Sequence, residues 1–306
     1  MTGGAGFIGS NIVSALIARG DSATVLDDLS TGYAGNITPG ARFIQGSVLD
    51  PDAVRLALTG CDVVFHAAAS VGNARSLRDP AKDCQVNALG TINVLEAARR
   101  NEIAKLVYSS SAAVYGEVTS LPVSELGSPN PLTPYAVSKF AGEHYVTAYS
   151  AMYGFHYVAL RYFNVFGQRQ RYDAYGNVVP IFCTLALAGK PLTVYGDGRQ
   201  TRDFVNVRDV VQANLRAADH EQVSGTFNVG AGRPVSVLDL VEELSVVLGV
   251  QLEIKHSEPR AGDVRHSFAD ISSAGKSLGY APSTSLREGL AEYVKWLRQD
   301  VMQPSA

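Results

Sequence analysis

The 306-residue chain has only three cysteines, Cys61, Cys84 and Cys183, an odd number at wide spacing. That excludes a disulfide framework and a metal site built from closely spaced thiolates, and it suits reduced thiols in a cytoplasmic protein. Charge of one sign is lacking too. With a formal net charge of −3, the chain has no general attraction for nucleic acid or an anionic membrane, so any anion site must be local. No apolar run approaches the ~20 residues that span a bilayer, and no basic segment followed by an apolar one opens the chain. A soluble, cytoplasmic protein is expected, with no membrane and no nucleic-acid partner. Internal repeats, low-complexity tracts and Pro/Ser-rich linkers are also missing, which argues against tethered modules. What remains is a chain with 46% apolar residues, enough for one large domain or two interlocked lobes.

Short β-branched runs alternate with helical patterns through the first half. "SATVLDD", "ARFIQG", "DVVFHAAA", "KLVYSSS" and "HYVALRYFNVFG" read as strands, separated by amphipathic stretches such as "GTINVLEAARR". Such alternation predicts βαβ units in an α/β fold with a Rossmann-type, doubly wound parallel sheet. After Gly167 the pattern loosens into loops, returns to strand-like "FVNV" and "TFNVG", and ends in a helix-rich tail from Val237. We expect a cofactor domain over residues 1–166, rejoined by 204–230, and a smaller discontinuous α/β lobe over the rest of 167–306.

The opening "MTGGAGFIGS" carries Gly3, Gly4, Gly6 and Gly9. Glycines at this spacing allow a tight turn, bring backbone N–H groups to a pyrophosphate and let the helix beginning at Phe7 and Ile8 aim its N-terminus at the anion. About 20 residues on, Asp27 and Asp28 end the next strand, where a carboxylate binds the adenosine ribose hydroxyls. Together these features predict dinucleotide binding. The charge of Asp27 favours NAD over NADP, because it repels a 2′-phosphate.

A loop of this kind normally follows a strand, and only Met1 and Thr2 precede the first glycine. In a doubly wound sheet that strand is central, between "SATVLDD" and "DVVFHAAA". Each buried backbone group left unpaired costs roughly 1–3 kcal/mol, so a missing central strand removes much of a domain's marginal stability of about 5–15 kcal/mol. The first strand thus looks missing from the sequence as given. The expectation is a native protein that begins a few residues earlier.

"YAVSK" places Tyr135 and Lys139 on one face of a helix announced by Thr133 and Pro134. Following the "YSSS" strand, this pair resembles the signature of the extended short-chain dehydrogenase/reductase superfamily, in particular NAD-dependent nucleotide-sugar epimerases related to UDP-glucose 4-epimerase. The resemblance runs through nearly the whole chain, in "TGGAGFIGS", "FHAAA", "VNALGTINVLEAAR", "SSSAAVYGE", "PYAVSK", "LRYFNVFG", "YGDGRQTRDFVNVRDV", "FNVGAG" and "PRAGDVRHSFAD".

The resemblance implies that Tyr135 removes the proton of a sugar hydroxyl while hydride passes to bound NAD⁺. Bringing a phenol from pKa ≈ 10 to near 7 takes roughly 4 kcal/mol of phenolate stabilisation. Lys139 and the cationic nicotinamide would supply it, with Ser111 hydrogen-bonded to the reacting oxygen. By the same resemblance NAD is held by Gly3, Gly6, Phe7, Ile8, Gly9, Asp27, Asp28, Ser47, Val48, Ala67, Ala68 and Asn87, besides Tyr135 and Lys139. A UDP-sugar substrate meets Ser111, Asn164, Val179, Tyr195, Arg202, Arg260, Asp263 and Ser267. Asn87 and Asn164 match asparagines that shape the site and touch the substrate diphosphate, though strand-end asparagine is often only a turn former. Arg202 and Arg260 match diphosphate ligands, for which bidentate guanidinium geometry is suited. Asp263 either caps a ribose or sits in the "AGD" turn; Tyr195 either stacks on the base or packs in the core. Ser47, where the family usually has Asp beside the adenine, makes that contact neutral, while Asn206 and Gln168 replace a frequent aromatic or histidine and a proline. No metal is implied.

The fold hosts several chemistries. Sugar 4,6-dehydratases need an Asp-Glu pair after the serine and related decarboxylases keep the Glu, whereas here Ala112 and Ala113 stand there. Without a second acid/base, oxidation at C4, rotation of the 4-keto sugar and return of hydride to the other face give net epimerisation of UDP-glucose and UDP-galactose. In the resembling epimerases the position of Ser267 borders the sugar's 2-substituent, so a small residue there implies room for the N-acetylated pair. A 4-reductase with net NAD(P)H turnover and a non-catalytic NAD-binding regulator are the rival classes. The family also implies a homodimer, through a four-helix bundle of "ALGTINVLEAARR" and "YAVSKFAGEHYVTAYSAMYG" from each subunit.

Overall fold

The computed structural model describes all residues except 119, 173–176, 260–263 and 303–306, and the side chains of 301 and 302 are also outside the description. In chain order the elements are α1 (Phe7–Arg19), β1 (Thr24–Asp27), β2 (Arg42–Gln45), α2 (Pro51–Leu58), β3 (Val63–His66), α3 (Asn73–Arg78), α4 (Pro80–Cys84), α5 (Gly90–Arg100), β4 (Lys105–Ser111), α6 (Pro134–Tyr153), β5 (His156–Tyr162) and β6 (Asn164–Phe166). They continue as α7 (Val178–Leu187), β7 (Leu192–Tyr195), β8 (Thr201–Arg202), β9 (Phe204–Asn206), α8 (Val207–Asp219), β10 (Gly225–Val229), β11 (Val235–Ser236), α9 (Val237–Leu248), β12 (Ile254–Ser257), α10 (Ser272–Leu278) and α11 (Leu286–Met302).

The main sheet is parallel in the order β2–β1, then β3–β4–β5–β10. The place between β1 and β3 is held by a single residue. Thr2 bridges Leu26 on one side and His66 on the other, both parallel, through Gly3 N–H to Leu26 O, Thr2 N–H to Phe65 O and Ala67 N–H to Thr2 O. Met1 adds Leu26 N–H to Met1 O, and its buried ammonium donates to Thr24 O at 2.8 Å. The slot of the expected central strand is therefore where the doubly wound order puts it, and Thr2 pairs there beside the carboxyl ends of β1 and β3.

Alternation along the strands sorts side chains to two faces. Val107, Val158, Leu160, Phe227 and Val229 pack with Ile12 and Leu16 of α1 and Val210, Ala213 and Ala217 of α8. Leu106, Tyr108 and Ala159 face the other layer, Val54 and Leu58 of α2, Val94 and Leu95 of α5 and Val146 of α6. A separate core joins α7, β7, α9 and α11 around Phe182, Leu192, Leu240, Leu244, Leu290 and Tyr293.

"HYVALRYFNVFG" differs from the single strand read from its pattern. Phe163 breaks it: Val165 N–H turns back to Phe163 O, and β6 pairs in parallel with β9 instead of continuing along β4. The same break sends Asn164 N–H to Asp203 O, tying the start of β6 to the β8–β9 segment. No helix among the described residues is long and apolar enough to cross a membrane.

Candidate active site

Because every strand of the main sheet is parallel, their carboxyl ends share one edge, the place where such sheets bind ligands. Asp27 ends β1, Ser47 and Val48 follow β2, Ala67 and Ala68 follow β3, and Ser111 ends β4. Gly3 to Gly9 cross the same edge into α1.

The glycine turn is shaped for close approach. Gly3 takes φ +69°, and a Cβ there would lie 2.6 Å from Ala68 N; one on Gly9 would collide with Gly3 O. The N-cap Gly6 offers no side chain to the first turn of α1, so the N–H groups at its N-terminus are open to an anion instead of being capped. Asp27 is buried, and its Oδ2 and Oδ1 accept from Ala5 N and Leu29 N, each at 2.9 Å. It thereby fixes the turn while each oxygen keeps lone-pair capacity for a ribose hydroxyl. Asp28 is exposed and accepts from Ser30 N. A tight backbone cradle, an uncapped helix start and a carboxylate at the next strand end are the donor set a dinucleotide needs.

Thr133 caps α6 by accepting from Ala136 N at 3.3 Å, and Pro134 opens its first turn. Tyr135 is thus set at the mouth of the helix, with Lys139 one turn deeper and only 2% exposed. Ser111 accepts from Ala113 N at 3.2 Å, and its hydroxyl lies near enough to Tyr135 to favour the phenolate. In the protein alone burial pushes the Tyr135 phenol up, Ser111 opposes this, and the Asp83 carboxylate adds to it. Desolvation thus outweighs Ser111 in the protein alone, so a lowered phenol depends on cationic charge placed near it. Burial also draws the Lys139 ammonium down to about 7, against the pull of Glu143 and Asp83.

Between α4 and α5 the helix widens into a π-helical turn over Gln85–Leu89 that carries Asn87. The Asn87 amide accepts from Ser70 N at 2.8 Å and donates to Ser70 O, Ser138 Oγ and Asp83 Oδ2. Ser138 also donates to Asp83, so Asp83, Asn87 and Ser138 lock α4 to α6 behind the pair. A second chain of bonds runs beneath the glycine turn. Thr91 gives its proton to Asn87 O, so it accepts from His66 Nε2, while His66 Nδ1 accepts from the Thr2 hydroxyl, itself acceptor for Ala68 N. That network assigns the tautomer. Burial, with the neighbouring Lys139 charge, holds the imidazole neutral, its pKa down to about 3.

The remaining residues lie in the chain that follows β5. Asn164 opens β6, Val179 is buried in the first turn of α7, and Tyr195 ends β7, with its carbonyl accepting from Gln200 Nε2. Arg202 ends β8, next to Val235 of β11. Half-buried Ser267 lies against the same strand, its N–H on Thr201 O. Arg202 and Ser267 are therefore neighbours across one short pairing. Arg260 and Asp263 lie outside the described residues. Among the described residues no group of three or more His, Cys, Asp or Glu could hold a metal.

Asp83, Ser138, His66 and Tyr108 escaped the sequence reading. Only Tyr108 left a signal, through Gly142 in the middle of an otherwise uninterrupted helix.

A Rossmann sheet with a pyrophosphate-shaped turn, a strand-end carboxylate and a half-buried Tyr135 above a buried Lys139 defines a dinucleotide-dependent enzyme. The chain belongs to the NAD dependent epimerase/dehydratase family, whose model matches residues 1–230. It is 40% identical over 302 residues to a putative UDP-glucose 4-epimerase of Methanocaldococcus jannaschii, covering 98% of each chain. It is also similar to the UDP-glucose 4-epimerase of Thermotoga maritima solved with UDP-glucose, at TM-score 0.93 and 38% identity over 98% of both chains. The UDP-N-acetylglucosamine 4-epimerase of Methanobrevibacter ruminantium M1, solved with UDP-N-acetylmuramic acid, matches at TM-score 0.94 and 37% identity, over 98% of this chain and 97% of that one.

Proposed function

We propose that the protein is an NAD-dependent UDP-sugar 4-epimerase that acts on UDP-glucose and UDP-galactose and on their N-acetylated counterparts through a 4-keto sugar. The carrying observation is the Tyr135–Lys139–Ser111 arrangement followed by Ala112 and Ala113, which leaves the site one proton-transfer group and no second acid/base for elimination. Gly3, Gly6, Phe7, Ile8, Gly9, Asp27, Asp28, Ser47, Val48, Ala67 and Ala68 at the strand ends would hold NAD, and 1–166 with 204–230 would then form the cofactor half. When bound, NAD supplies the reversible two-electron exchange at C4, and its positive ring adds to the charge that favours a Tyr135 phenolate.

The chain's own residues do the rest. Tyr135 Oη takes the proton of the C4 hydroxyl and later returns it. Ser111 Oγ orients that oxygen, and protonated Lys139 stabilises the phenolate across one helical turn. Asn87 shapes the floor from behind, since its amide is committed to Ser70, Asp83 and Ser138. Arg202, with Arg260, binds the diphosphate, while Asn164, Val179, Tyr195 and Asp263 surround the nucleotide. Fixing the diphosphate while leaving the sugar free to turn lets both faces of C4 meet the same cofactor.

Ser267 sets the room beside the sugar's 2-substituent. Discrimination by one methylene is worth only about 1–3 kcal/mol, but an aromatic ring in the path of an acetamide costs more because a packed wall cannot yield. The test is kcat/KM for both sugar pairs with the native chain and with Ser267→Tyr. The variant is expected to lose the acetylated reaction selectively. A native chain that turns over UDP-glucose but never UDP-N-acetylglucosamine removes Ser267 as the gate.

The same family relation supports a homodimer. Leu89 before α5 and Val137, Tyr145, Met152 and Tyr153 along α6 are exposed large apolar residues, suited to a four-helix bundle of α5 and α6 from two subunits.

A further inference from the structure

Lys139 has a neighbour that the pyrophosphate turn and the Tyr–Lys pair do not account for. Its Nζ lies 4.3 Å from the centroid of the Tyr108 ring, and Tyr108 is fully buried. The ring is pinned: its hydroxyl donates to Lys139 O at 3.2 Å, and His66 lies against it at 5.6 Å between centroids. Gly142 makes this possible. A Cβ there would collide with Tyr108 Oη and stand 3.0 Å from both Tyr108 Cζ and Asn87 O. Glycine in the interior of a 20-residue helix is unfavourable beside alanine, so its presence needs a local reason, and the ring is one.

The other groups facing Lys139 each fall short as a counter-charge. Glu143, one turn along α6, is paired with the Arg161 guanidinium through Nε at 3.1 Å and Nη2 at 2.5 Å, and also accepts from Ser110. Asp83 of α4 is bonded to Ser138 and Asn87. His66 of β3 is neutral, and Tyr135 of α6 is the group to be acted on. A carboxylate directly on Nζ would also cancel the positive field that Tyr135 requires. An aromatic face attracts an ammonium through its quadrupole and carries no net charge, so it holds the cation and leaves its field intact.

We infer that Tyr108 is a positioning residue: its ring is the seat of the Lys139 ammonium, and Gly142 is the gap that admits the ring. This rests on the proposed role of Lys139 as partner of Tyr135.

The experiment uses the NAD-loaded protein with Tyr108→Phe, Tyr108→Leu and Gly142→Ala. Lys139 is titrated by NMR of lysine labelled with 13C at Cε, assigned with Lys139→Arg, and the pH profile of kcat is recorded beside it. Without the ring the ammonium is less favoured, so the Lys139 pKa falls, Tyr135 is harder to ionise, and the acid limb of kcat moves to higher pH. Tyr108→Phe is expected to keep both near their native positions. Tyr108→Leu and Gly142→Ala are expected to shift each by about one pH unit, about tenfold in kcat below the limb, with KM for the UDP-sugar within about twofold. A Lys139 that titrates alike in the native, Leu and Ala proteins overturns the seat, and so does a Phe variant shifted as far as Leu. Should Tyr108→Leu fail to fold by circular dichroism, Gly142→Ala decides by the same readings. Because the titration is read without turnover, it stands apart from the epimerase reading.

Discussion

Tyr135 and His66 show how much of this site lies in protonation states that side-chain identity does not reveal. The pattern "YAVSK" announced a phenol and an amine on one helix face, yet the burial that opposes phenolate formation depends on packing contributed by α4 and β4. His66 is clearer still. Its letter in "FHAAA" is compatible with a base or a ligand, but burial and the Lys139 charge keep it neutral, while the Thr2 and Thr91 hydroxyls on either side satisfy its two ring nitrogens. Since its pKa falls from the ordinary 6.5 to about 3 on folding, the unfolded chain binds a proton across that interval that the folded chain refuses. The contribution of neutral His66 is therefore complete above about pH 6.5 and drains away as pH falls toward 3. His66→Gln, which cannot titrate, is expected to show a shallower loss of unfolding free energy between pH 6.5 and 4 in urea titrations. Equal slopes in both proteins would assign the acid sensitivity elsewhere.

Among the elements, those with strong local signals were legible: the helix after the glycine turn, the Thr133–Pro134 start of α6 and the strands with continuous β-branched runs. The break at Phe163 was not, because alternation tells which face a residue occupies and nothing about which strand it pairs with. The π-helical turn at Asn87 was not legible either: the Asn87 bonds to Ser70 and Ser138 that accompany it join residues distant in sequence. The central slot follows from topology: sequence order placed it between β1 and β3, and the bridges of Thr2 lie there.

For the whole molecule, the parallel sheet collects the glycine turn, Asp27, Ser111 and the start of β6 at one edge, the place where such sheets bind ligands. The chain after β6 was harder to read because its small sheets pair segments far apart in sequence, β8 with β11 and β7 with β12. Arg202 and Ser267 become neighbours only through the bridge of Thr201 to His266. If α5 and α6 form the subunit contact, sedimentation at micromolar concentration is expected to give twice the chain mass, and Tyr145→Glu combined with Met152→Glu should return a single-chain mass with the site intact. A native protein that sediments as one chain removes the bundle. The most direct test of the central reading is to incubate the purified protein with UDP-galactose, without added cofactor, and follow the sugar nucleotides by NMR. The expected result is UDP-glucose formed to equilibrium over many turnovers with protein-bound NAD unchanged in amount, and a loss of at least about a hundredfold in rate with Tyr135→Phe while UDP-sugar binding persists. Turnover that stops after one equivalent per bound cofactor, a 4,6-dehydrated product, or a Tyr135→Phe protein as fast as the native one would contradict it.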